Sequence, residues 1–446
     1  MANGLKNVPE TEIPLSPPST PAAPTQDVPR RPIFFRSTLF QIFTVGLCAF
    51  CAPGIWSAMN GLGVGGSQSP NLVNAANALL YAFMTVTCFL GPFLTNLVGF
   101  RYTLSLGSIG YPLYAAGLYL NNRTGATWLV YLGSVACGIS AGFFWSVEGA
   151  IATGYPEDRK RGRYIATWFT FRNFGNIIGG AISLGVNVNL NKQGQVGYQT
   201  YLGFIAIQCL GCVIGLLLSN PEKVIRDDGT KIAANTDSIH WKTEAKAMWK
   251  RGKSKPILLL TPLFWYFGWV QAYPGTYLAT YFTVRSRALG SFLSAIVGTI
   301  ATWLGGSLVD IPWTSNRKHR ALATWSLIAA LNSATWIWAV IMQNEYRHTN
   351  PVLDWGDQST FGRGFGIYLF ERLSVGIVEN YIYWCIGNLS DSPVAVGFGV
   401  QAVPTALIVT AGINFGLWFF ALPVSFLATL LVVRRFEEAA WDSSVL

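Results

Sequence analysis

Charged side chains inside apolar runs are the residues of this sequence best suited to chemistry. Glu148 lies in an otherwise uncharged run over 127–155, and Arg172 lies in the apolar run that follows. An ionised group at the centre of a membrane helix costs about 2.5–3.5 kcal/mol on insertion scales. It is tolerated where it faces a water-filled cavity, pairs with an opposite charge or stays protonated. Both residues are therefore candidates for a site that handles protons or a charged solute.

A second group of charges lies in the stretch LFERLSVGIVENYIYW. Arg372 and Glu379 are seven residues apart, on nearly the same helix face but about 10 Å apart along the axis, so each needs a partner elsewhere. Glu371 projects about 100° away from Arg372, and an interfacial position remains open for it. The echo between SVEGAI and IVENYI aligns Glu148 with Glu379. The candidates for a proton or substrate site are Glu148, Arg172, Glu371, Arg372 and Glu379.

The spacing of Glu148 and Arg172 suggests one specific pair. The connection between their runs centres near Lys160, with Glu148 twelve residues before it and Arg172 twelve after it. An antiparallel hairpin would place them level, although helix rotation decides whether they face each other. Two interpretations stay open. In the first, the pair lies in a cavity and its carboxylate changes protonation or partner during a transport cycle. In the second, it is a static buried pair that fixes helix register.

Composition identifies a polytopic membrane protein. The 446 residues are 51% hydrophobic and only 12% charged, against about 25% charged in a soluble domain. The net charge of +10 is spread over short loops without a basic stripe or recognition motif, which argues against a nucleic-acid partner. All seven cysteines fall in apolar runs, and no stretch resembles a metal site, a phosphate-binding loop or a catalytic triad. We expect neither an enzyme nor a cofactor or metal.

Twelve apolar runs, each long enough to cross a bilayer, predict an all-α membrane protein. The runs cover 38–59, 72–97, 103–121, 127–154, 163–189, 199–219, 256–281, 288–309, 321–343, 364–387, 394–413 and 415–433. A polar segment separates six runs from six and predicts two six-helix pseudo-repeats. The predicted domains are a disordered Pro-rich tail (1–35), an N-terminal bundle (36–219), a central linker (220–255), a C-terminal bundle (256–435) and a C-terminal tail (436–446).

Loop charges predict the orientation in the membrane. Of the 31 Lys and Arg residues, 23 fall on the side of the N-terminus, six fall in loops of the other side, and two lie within spans. The positive-inside rule therefore predicts that both termini, the tails and the linker are cytoplasmic. Arg285 and Arg287 are counted among the external loop residues. Asn122 begins a glycosylation sequon on the predicted outside, in a loop so short that its occupancy stays open.

Three segments carry a family resemblance. They are GFFWSVEGAIATGYPEDRKRGRYIATWFTFRNFGNIIGG, TPLFWYFGWVQAYPGTYLATYF and FTVRSRALGSFLSAIVGTI. Together they resemble the uncoordinated-93-like family, a divergent branch of the major facilitator superfamily, and the resemblance extends over 35–436. It implies that superfamily's fold, with spans 1, 4, 7 and 10 around a central cavity. Some family members resemble transporters, while others assist potassium-channel function or escort membrane receptors.

The resemblance therefore implies two alternative functions. The first is a secondary transporter of a small solute or ion, with possible proton coupling by the intramembrane carboxylates. The second is a non-transporting regulator or trafficking escort of another membrane protein. The lipid bilayer is the common partner in both cases.

Aromatic and amide side chains of the runs that would line the cavity are further candidates. Pro274 in the seventh run predicts a bend beside a cavity, and aromatic rings with an amide suit a large, partly apolar or cationic ligand. Lipid-facing packing and an interfacial belt are the alternative for each ring. The cavity-lining candidates are Trp56, Asn60, Trp145, Trp265, Tyr266, Trp269 and Gln271.

The loop signature of the superfamily is only partly present. It places an aspartate between a glycine and a basic pair, and this acid–base cluster helps to lock the gate of transporters. In the first repeat Asn96 stands where the acid is expected, which puts ordinary alternating access in doubt, whereas the second repeat keeps more of the pattern. The residues that match the signature are Gly99, Arg101, Gly306, Asp310 and Arg317.

Overall fold

The computed structural model describes residues 34–67, 69–156, 161–226, 229–230, 253–270, 272–310, 316–389, 418–431 and 433–434. The regular structure of these residues is helical, and extended pairing among them consists of two isolated bridges, Ser37 with Ile225 and Phe282 with Leu353. The helices are α1 (Thr38–Ala49), α2 (Ile55–Gly61), α3 (Pro70–Val98), α4 (Phe100–Thr124), α5 (Trp128–Gly154), α6 (Arg161–Asn187), α7 (Tyr198–Gly215), α8 (Lys255–Val270), α9 (Ala272–Tyr281), α10 (Val284–Asp310), α11 (Arg317–Thr349), α12 (Gln358–Leu389) and α13 (Trp418–Leu431).

The helices follow the predicted apolar runs. Spans 1 to 6 correspond to α1 with α2 and then α3 to α7, span 7 to α8 with α9, spans 8 to 10 to α10 to α12, and span 12 to α13. The run predicted at 394–413, most of the central linker and both tails lie outside the described residues. Among the described helices, five are individually long and apolar enough to cross a membrane. The all-α membrane class is confirmed.

Span 1 is interrupted at the level of the candidate site. Between α1 and α2, Phe50–Gly54 forms a π-helical turn that contains Pro53, because proline supplies no backbone N–H and crowds the preceding turn. A Cβ atom on Gly54 would lie 2.7 Å from the Arg172 carbonyl oxygen, and one on Gly175 would lie 2.3 Å from the Phe50 carbonyl oxygen. These glycines let α6 approach span 1 beside Arg172.

Replacing Gly175 with alanine tests this close approach. We expect the free energy of unfolding to fall by about 1–3 kcal/mol, because the added methyl group meets backbone that must shift. Gly185 lies on the same helix with no atom within 4 Å of its ideal Cβ position. Gly185→Ala is expected to be neutral or to stabilise by up to about 1 kcal/mol. Detergent-solubilised protein unfolded by SDS titration gives both values, and equal effects of the two substitutions would contradict the packing described.

Span 7 contains the helical stretches α8 and α9. α8 ends at Val270 and α9 begins at Ala272, with Gln271 between them outside the described residues. Pro274 lies in the first turn of α9, and its ring would clash with the carbonyl group four residues earlier, which belongs to Val270. Such a clash favours a bend in this part of the span, and the bend predicted at Pro274 stays a prediction.

Two hydrophobic cores hold the helices together. The first is formed by spans 1 to 6 together with Val284 and Ala288 from the start of α10. The second is formed by spans 7 to 10 and span 12, where Tyr266 packs against Trp418 with ring centroids 4.8 Å apart. Since α10 contributes to both, it connects the two groups of helices.

Most of the described hydrogen bonds between the two groups lie at one end of the molecule. We call it the distal end, defined by the connections at 62–69, 188–197, 282–283 and 350–357. Tyr368 donates its hydroxyl to the Gly61 carbonyl at 3.1 Å, and Ser291 donates to the Ala58 carbonyl at 2.7 Å. The backbone N–H of Val284 donates to the Lys192 carbonyl at 2.9 Å.

Arg287 supplies the largest set of these bonds. Its Nε donates to the Leu62 carbonyl at 2.7 Å and its Nη1 to the Gly194 carbonyl at 2.7 Å. Its Nη2 donates to the carbonyls of Gly63 at 2.8 Å and Ser67 at 3.0 Å. The side chain is fully buried in the first turn of α10. Arg287 therefore lies in a helix and not in a loop, and its charge points into the protein, whereas its predicted external side stays a prediction.

The glycine-rich sequence GLGVGG shapes the loop that receives Arg287. Gly63, Gly65 and Gly66 have φ angles of 73°, 62° and 80°, a left-handed conformation that glycine adopts without the Cβ clash of other residues. The Gly63 carbonyl bonds Arg287, and the Gly65 carbonyl accepts the Tyr201 hydroxyl at 2.9 Å. Backbone oxygens thus neutralise part of a buried positive charge.

Asp354 fixes the connection between α11 and α12 to the start of α10. Its Oδ1 accepts from Thr283 Oγ1 at 2.6 Å and from Arg285 Nε at 2.8 Å. Its Oδ2 accepts from Arg285 Nη2 and from the Gly356 N–H. The hydrogen bonds from Arg285, followed by those from Thr283 and Gly356, hold the pKa of Asp354 well below its usual range.

A depressed carboxyl pKa predicts a specific loss of stability in acid. The stabilisation is present above the unfolded-state pKa of about 3.9 and is lost as pH falls below it towards the folded-state value. Asp354→Asn should therefore be less stable than the parent at pH 7, and the difference should shrink below about pH 4. Thermal unfolding in a non-ionic detergent across this pH range measures the difference. A gap that stays constant with pH would contradict the assigned role of the carboxylate.

Candidate functional site

An ion pair joins the two groups of helices inside the membrane-spanning region. Arg172 of α6 lies with Nη2 3.6 Å from Oε1 of Glu379 on α12, and the two side chains are 15% and 23% exposed. The Arg172 guanidinium also lies over two aromatic rings, 4.7 Å from the centroid of Phe169 and 5.7 Å from that of Trp145. The pair is thus charged, aromatic-lined and partly accessible.

Glu148 lies next to this pair but is not its partner. The side chain is fully buried on α5, where Oε1 accepts a hydrogen bond from Trp168 Nε1. Its Oε2 has no hydrogen-bond partner among the described residues. The predicted direct pair of Glu148 with Arg172 is corrected by the observed Arg172–Glu379 pair. Trp168 of α6 bonds Glu148, and the Arg172 guanidinium, one helical turn further on, extends to Glu379 of the other group of helices.

Trp168 and Phe169 are site residues that the sequence prediction missed. Trp168 lies four residues before Arg172, on the same face of α6, and its ring meets Trp145 edge to face with centroids 6.4 Å apart. Aromatic residues one turn from an intramembrane arginine were the available signal. Trp168 bonds Glu148 and packs against Phe169, and Phe169 lies against the Arg172 guanidinium that pairs with Glu379.

Glu371 and Arg372 form a second charged pair on α12. Arg372 Nε lies 3.3 Å from Glu371 Oε2, and the Glu371 side chain is only 5% exposed. The Arg372 guanidinium also lies 5.3 Å from the centroid of the Tyr368 ring, whose hydroxyl bonds the Gly61 carbonyl. The interfacial alternative for Glu371 was wrong, because its carboxylate is buried in protein. Arg372 and Glu379 have different partners, as their spacing predicted.

The cavity-lining candidates divide between the site and other places. Trp145 belongs to the Arg172 cluster. Asn60 donates to the Trp56 carbonyl at 3.0 Å, and the Trp56 ring meets Tyr81 edge to face with centroids 6.5 Å apart. These residues are partly buried near the end of span 1.

The candidates from span 7 lie elsewhere. Tyr266 is 1% exposed within the second core, where it accepts from Trp336 Nε1 at 2.7 Å and donates to Asn332 at 2.8 Å. It is a packing residue rather than a cavity wall. Trp265 is 39% exposed. The Trp269 side chain and Gln271 lie outside the described residues.

The gate-signature residues are only partly described. Gly99 joins α3 to α4 with φ 86°, a conformation that favours glycine. Arg101 is exposed, with its guanidinium 5.8 Å from the centroid of the Tyr102 ring. Gly306 lies in α10 with no atom within 4 Å of an ideal Cβ. The side chains of Asp310 and Arg317 lie outside the described residues, so the acid–base cluster stays a prediction.

The described ranges lack a metal-binding cluster. They contain no group of three or more His, Cys, Asp or Glu side chains arranged to hold a metal ion. The chemistry that the described site can perform is ion pairing, cation–aromatic contact and proton exchange on carboxylates.

Comparison with known proteins identifies the family. A family model described as "Ion channel regulatory protein UNC-93" matches residues 74–341, more than half of the chain. The chain belongs to the UNC-93 family. The predicted resemblance is confirmed over a region that contains Glu148 and Arg172 but ends before Glu379.

Curated relatives extend the match over most of the chain. The Notoamide biosynthesis cluster protein O' of Aspergillus versicolor is 37% identical over 413 residues, which are 88% of each chain. UNC93-like protein 1 of Arabidopsis thaliana is 30% identical and covers 84% of this chain and 83% of its own. This UNC-93 family chain is therefore similar both to a protein named for a biosynthesis cluster and to one named for the UNC-93 family.

Solved structures show the fold. A POT family transporter in complex with a thioalcohol-conjugated peptide matches with TM-score 0.59 at 12% identity, over 89% of this chain and 96% of its own. The xylose transporter XylE of E. coli, in a partially occluded inward-open conformation, matches with TM-score 0.54 at 14% identity, over 90% and 98%. The fold is that of the major facilitator superfamily, and the protein is an integral membrane protein.

Proposed function

We propose that this chain is a secondary transporter of a small solute, with its site at the Arg172–Glu379 pair. One observation carries the proposal: a partly exposed ion pair in the interior connects α6 of one helix group to α12 of the other. In this superfamily alternating access moves one bundle against the other around a fixed midplane site. A pair that spans both bundles is broken or remade by that motion, so its energy can be coupled to solute binding.

The comparisons support a small organic solute as the cargo. The fold is shared with transporters of xylose and of peptide-like ligands, and a relative that is 37% identical is named as a biosynthesis cluster protein. A membrane protein that belongs to a biosynthetic route is suited to carry the product or a precursor of that route across a membrane. We propose no enzymatic step.

Proton coupling is proposed for Glu148. A buried carboxylate without a cationic partner is costly, whereas the protonated group is not. Glu148 is fully buried with one unpartnered oxygen, and it becomes a favourable carboxylate only when a cation comes to it. The cation that acts on Glu148 is Arg172, whose helix already contacts Glu148 through Trp168. Protonation of Glu148 and the partner of Arg172 are thereby linked.

Orientation and gating complete the proposal. The charge bias supports cytoplasmic termini, which places the distal end outside and the linker inside. The hydrogen bonds of Arg287 at the distal end support a state closed on that side. We also propose that the chain divides into two six-helix bundles at 220–255. The signature residues are proposed to form the gate: Gly99, Arg101, Gly306, Asp310 and Arg317.

A flux assay in liposomes tests the proposed function. The purified protein is reconstituted with an internal pH-sensitive dye, and a panel of cationic, anionic and neutral solutes is added outside. At least one solute should evoke a proton flux that Glu379→Gln abolishes. Glu345→Gln is the matched control, since Glu345 is 45% exposed and pairs with Arg363 at the surface; this variant should behave as the parent. Flux that survives in folded Glu379→Gln would contradict the placement of the transport site at the Arg172–Glu379 pair.

Regulation or escort of another membrane protein is the second candidate function. The family model's description as an ion channel regulatory protein favours it, as does Asn96 in place of the signature acid. A regulator need not break the Arg172–Glu379 pair. If no solute evokes flux and Glu379→Gln still alters the current of a co-expressed channel to the same extent as the parent does, this candidate replaces the transporter.

A further inference from the structure

The charges in the central parts of the predicted spans do not balance. Away from the span ends, where Arg163 and Arg287 lie, they comprise three carboxylates, Glu148, Glu371 and Glu379, and two guanidinium groups, Arg172 and Arg372. A net charge in the membrane interior is costly. The five groups together are neutral only when one further positive charge is present, and that charge is either a proton or a bound cation.

The ion pairs show which carboxylate lacks a cation. Arg372 lies against Glu371 and Arg172 lies against Glu379, so Glu148 is left over. Among the described residues, Trp168 from α6 bonds Glu148 directly, and the Cys48 thiol from α1, the Tyr111 hydroxyl from α4 and Arg172 from α6 lie close enough to interact with it electrostatically. Arg172 is the cation among them. In this arrangement Glu148 is the carboxylate on which a proton would supply the missing positive charge.

Arg172 also shows what kind of ligand its own position accepts. Its guanidinium is a cation on an organic stem, held by the Glu379 carboxylate and by the faces of Phe169 and Trp145. Carboxylate and aromatic faces are the groups that bind organic ammonium ions. Because Glu379 is 23% exposed, an ammonium from outside the protein can compete with Arg172 for it.

We propose that the solute is a monovalent organic cation with an aromatic ring, exchanged for the proton of Glu148. This inference rests on the proposed transport function and names its substrate class. The cation pairs with Glu379 and its ring takes the contact with Phe169 or Trp145. The released Arg172 turns to Glu148, which gives its proton to solvent and becomes the new partner of the guanidinium.

The exchange keeps the five groups and their ligand neutral at both stages. Before binding, the charges are Arg172 with Glu379, Arg372 with Glu371 and a neutral Glu148. After binding, the cation pairs with Glu379 and Arg172 pairs with a charged Glu148, so one proton leaves for one cation that enters. An anionic solute on Arg172 would leave Glu379 unpaired and add one uncompensated negative charge, which requires the uptake of one further proton rather than the release of one.

Calorimetric titration of the full-length protein in detergent tests the substrate class. Three probes share one ring and differ in charge: phenethylamine (cation), 3-phenylpropionate (anion) and 2-phenylethanol (neutral). Titration in buffers of different ionisation enthalpy counts the protons exchanged. Phenethylamine should bind with release of about one proton, and Glu148→Gln should weaken it about tenfold or more and abolish the release. Glu148→Asp should restore proton release in part, and Glu345→Gln should match the parent.

The outcomes separate the substrate class from the transport function. Binding of 3-phenylpropionate or 2-phenylethanol in place of phenethylamine, or binding of phenethylamine without proton release, overturns the proposal. Absence of phenethylamine binding at millimolar concentration to folded, monodisperse protein also overturns it. Binding of phenethylamine with proton release but without flux in liposomes would support the cation site and contradict the proposed transport function. Flux driven by an anionic or neutral solute would support the transport function and contradict the proposed cationic substrate.

Discussion

Replacing Arg287 with alanine is expected to lower the free energy of unfolding by about 3–5 kcal/mol. The substitution removes four hydrogen bonds from a fully buried guanidinium. It leaves the carbonyls of Leu62, Ser67 and Gly194 without this donor, while the Gly63 carbonyl keeps the Gly66 N–H. Unsatisfied buried acceptors carry most of the penalty. Because these bonds join the two helix groups, the distal end should open more often.

Two measurements separate the structural and conformational parts of this effect. SDS titration gives the stability, and maleimide labelling of a cysteine at Ser67 in a variant without the native cysteines gives distal accessibility. Arg287→Lys should recover part of both, since lysine keeps the charge with fewer and differently placed donors. Arg347→Ala, at an exposed position, should change neither. Unchanged labelling in Arg287→Ala would contradict the role of Arg287 in joining the helix groups.

The second large effect is expected at the Arg172–Glu379 pair. Arg172→Leu and Glu379→Leu should each destabilise the protein, because each leaves an unpaired charge in the interior, and the double variant should be more stable than the sum of the two losses. We expect a coupling energy of about 1–3 kcal/mol. All three variants should lose solute-evoked flux to the liposome background, because none keeps both the cation and the carboxylate.

A double-mutant cycle provides the matched control. The same cycle on Arg363 and Glu345, which pair at the surface with 61% and 45% exposure, should give a coupling below about 1 kcal/mol. If the interior cycle gives no more coupling than the surface cycle, the two helix groups are not held by this pair. The site would then lose its connection to bundle motion.

Span positions were predictable because length and apolarity determine them. α4 was predicted at 103–121 and runs over Phe100–Thr124, and α5 was predicted at 127–154 and runs over Trp128–Gly154. The interruption of span 1 at Phe50–Gly54 was not predicted, since a single proline does not reveal how far the turn around it will widen. Charge counting placed Arg287 in a loop because it considers the number of charges and not the direction of a side chain.

The members of the charged site were predictable, but their pairing was not. Glu148, Arg172 and Glu379 were found because charges are rare in apolar runs, and the repeat echo aligned the two carboxylates. Their depth along each helix follows from residue count, whereas their direction depends on helix rotation, which packing of small residues such as Gly54 and Gly175 decides. Depth alone therefore suggested Glu148 for Arg172, and rotation gave Glu379.

Infrared difference spectroscopy of the protein with and without phenethylamine tests the central claim most directly. A protonated carboxyl group has a carbonyl stretch that a carboxylate lacks. The account predicts that this band is lost when phenethylamine binds, and that the loss is absent in Glu148→Gln but present in Glu345→Gln. A carboxyl band that stays unchanged while phenethylamine binds, or a loss that persists in Glu148→Gln, would contradict the exchange of Arg172 between two carboxylates.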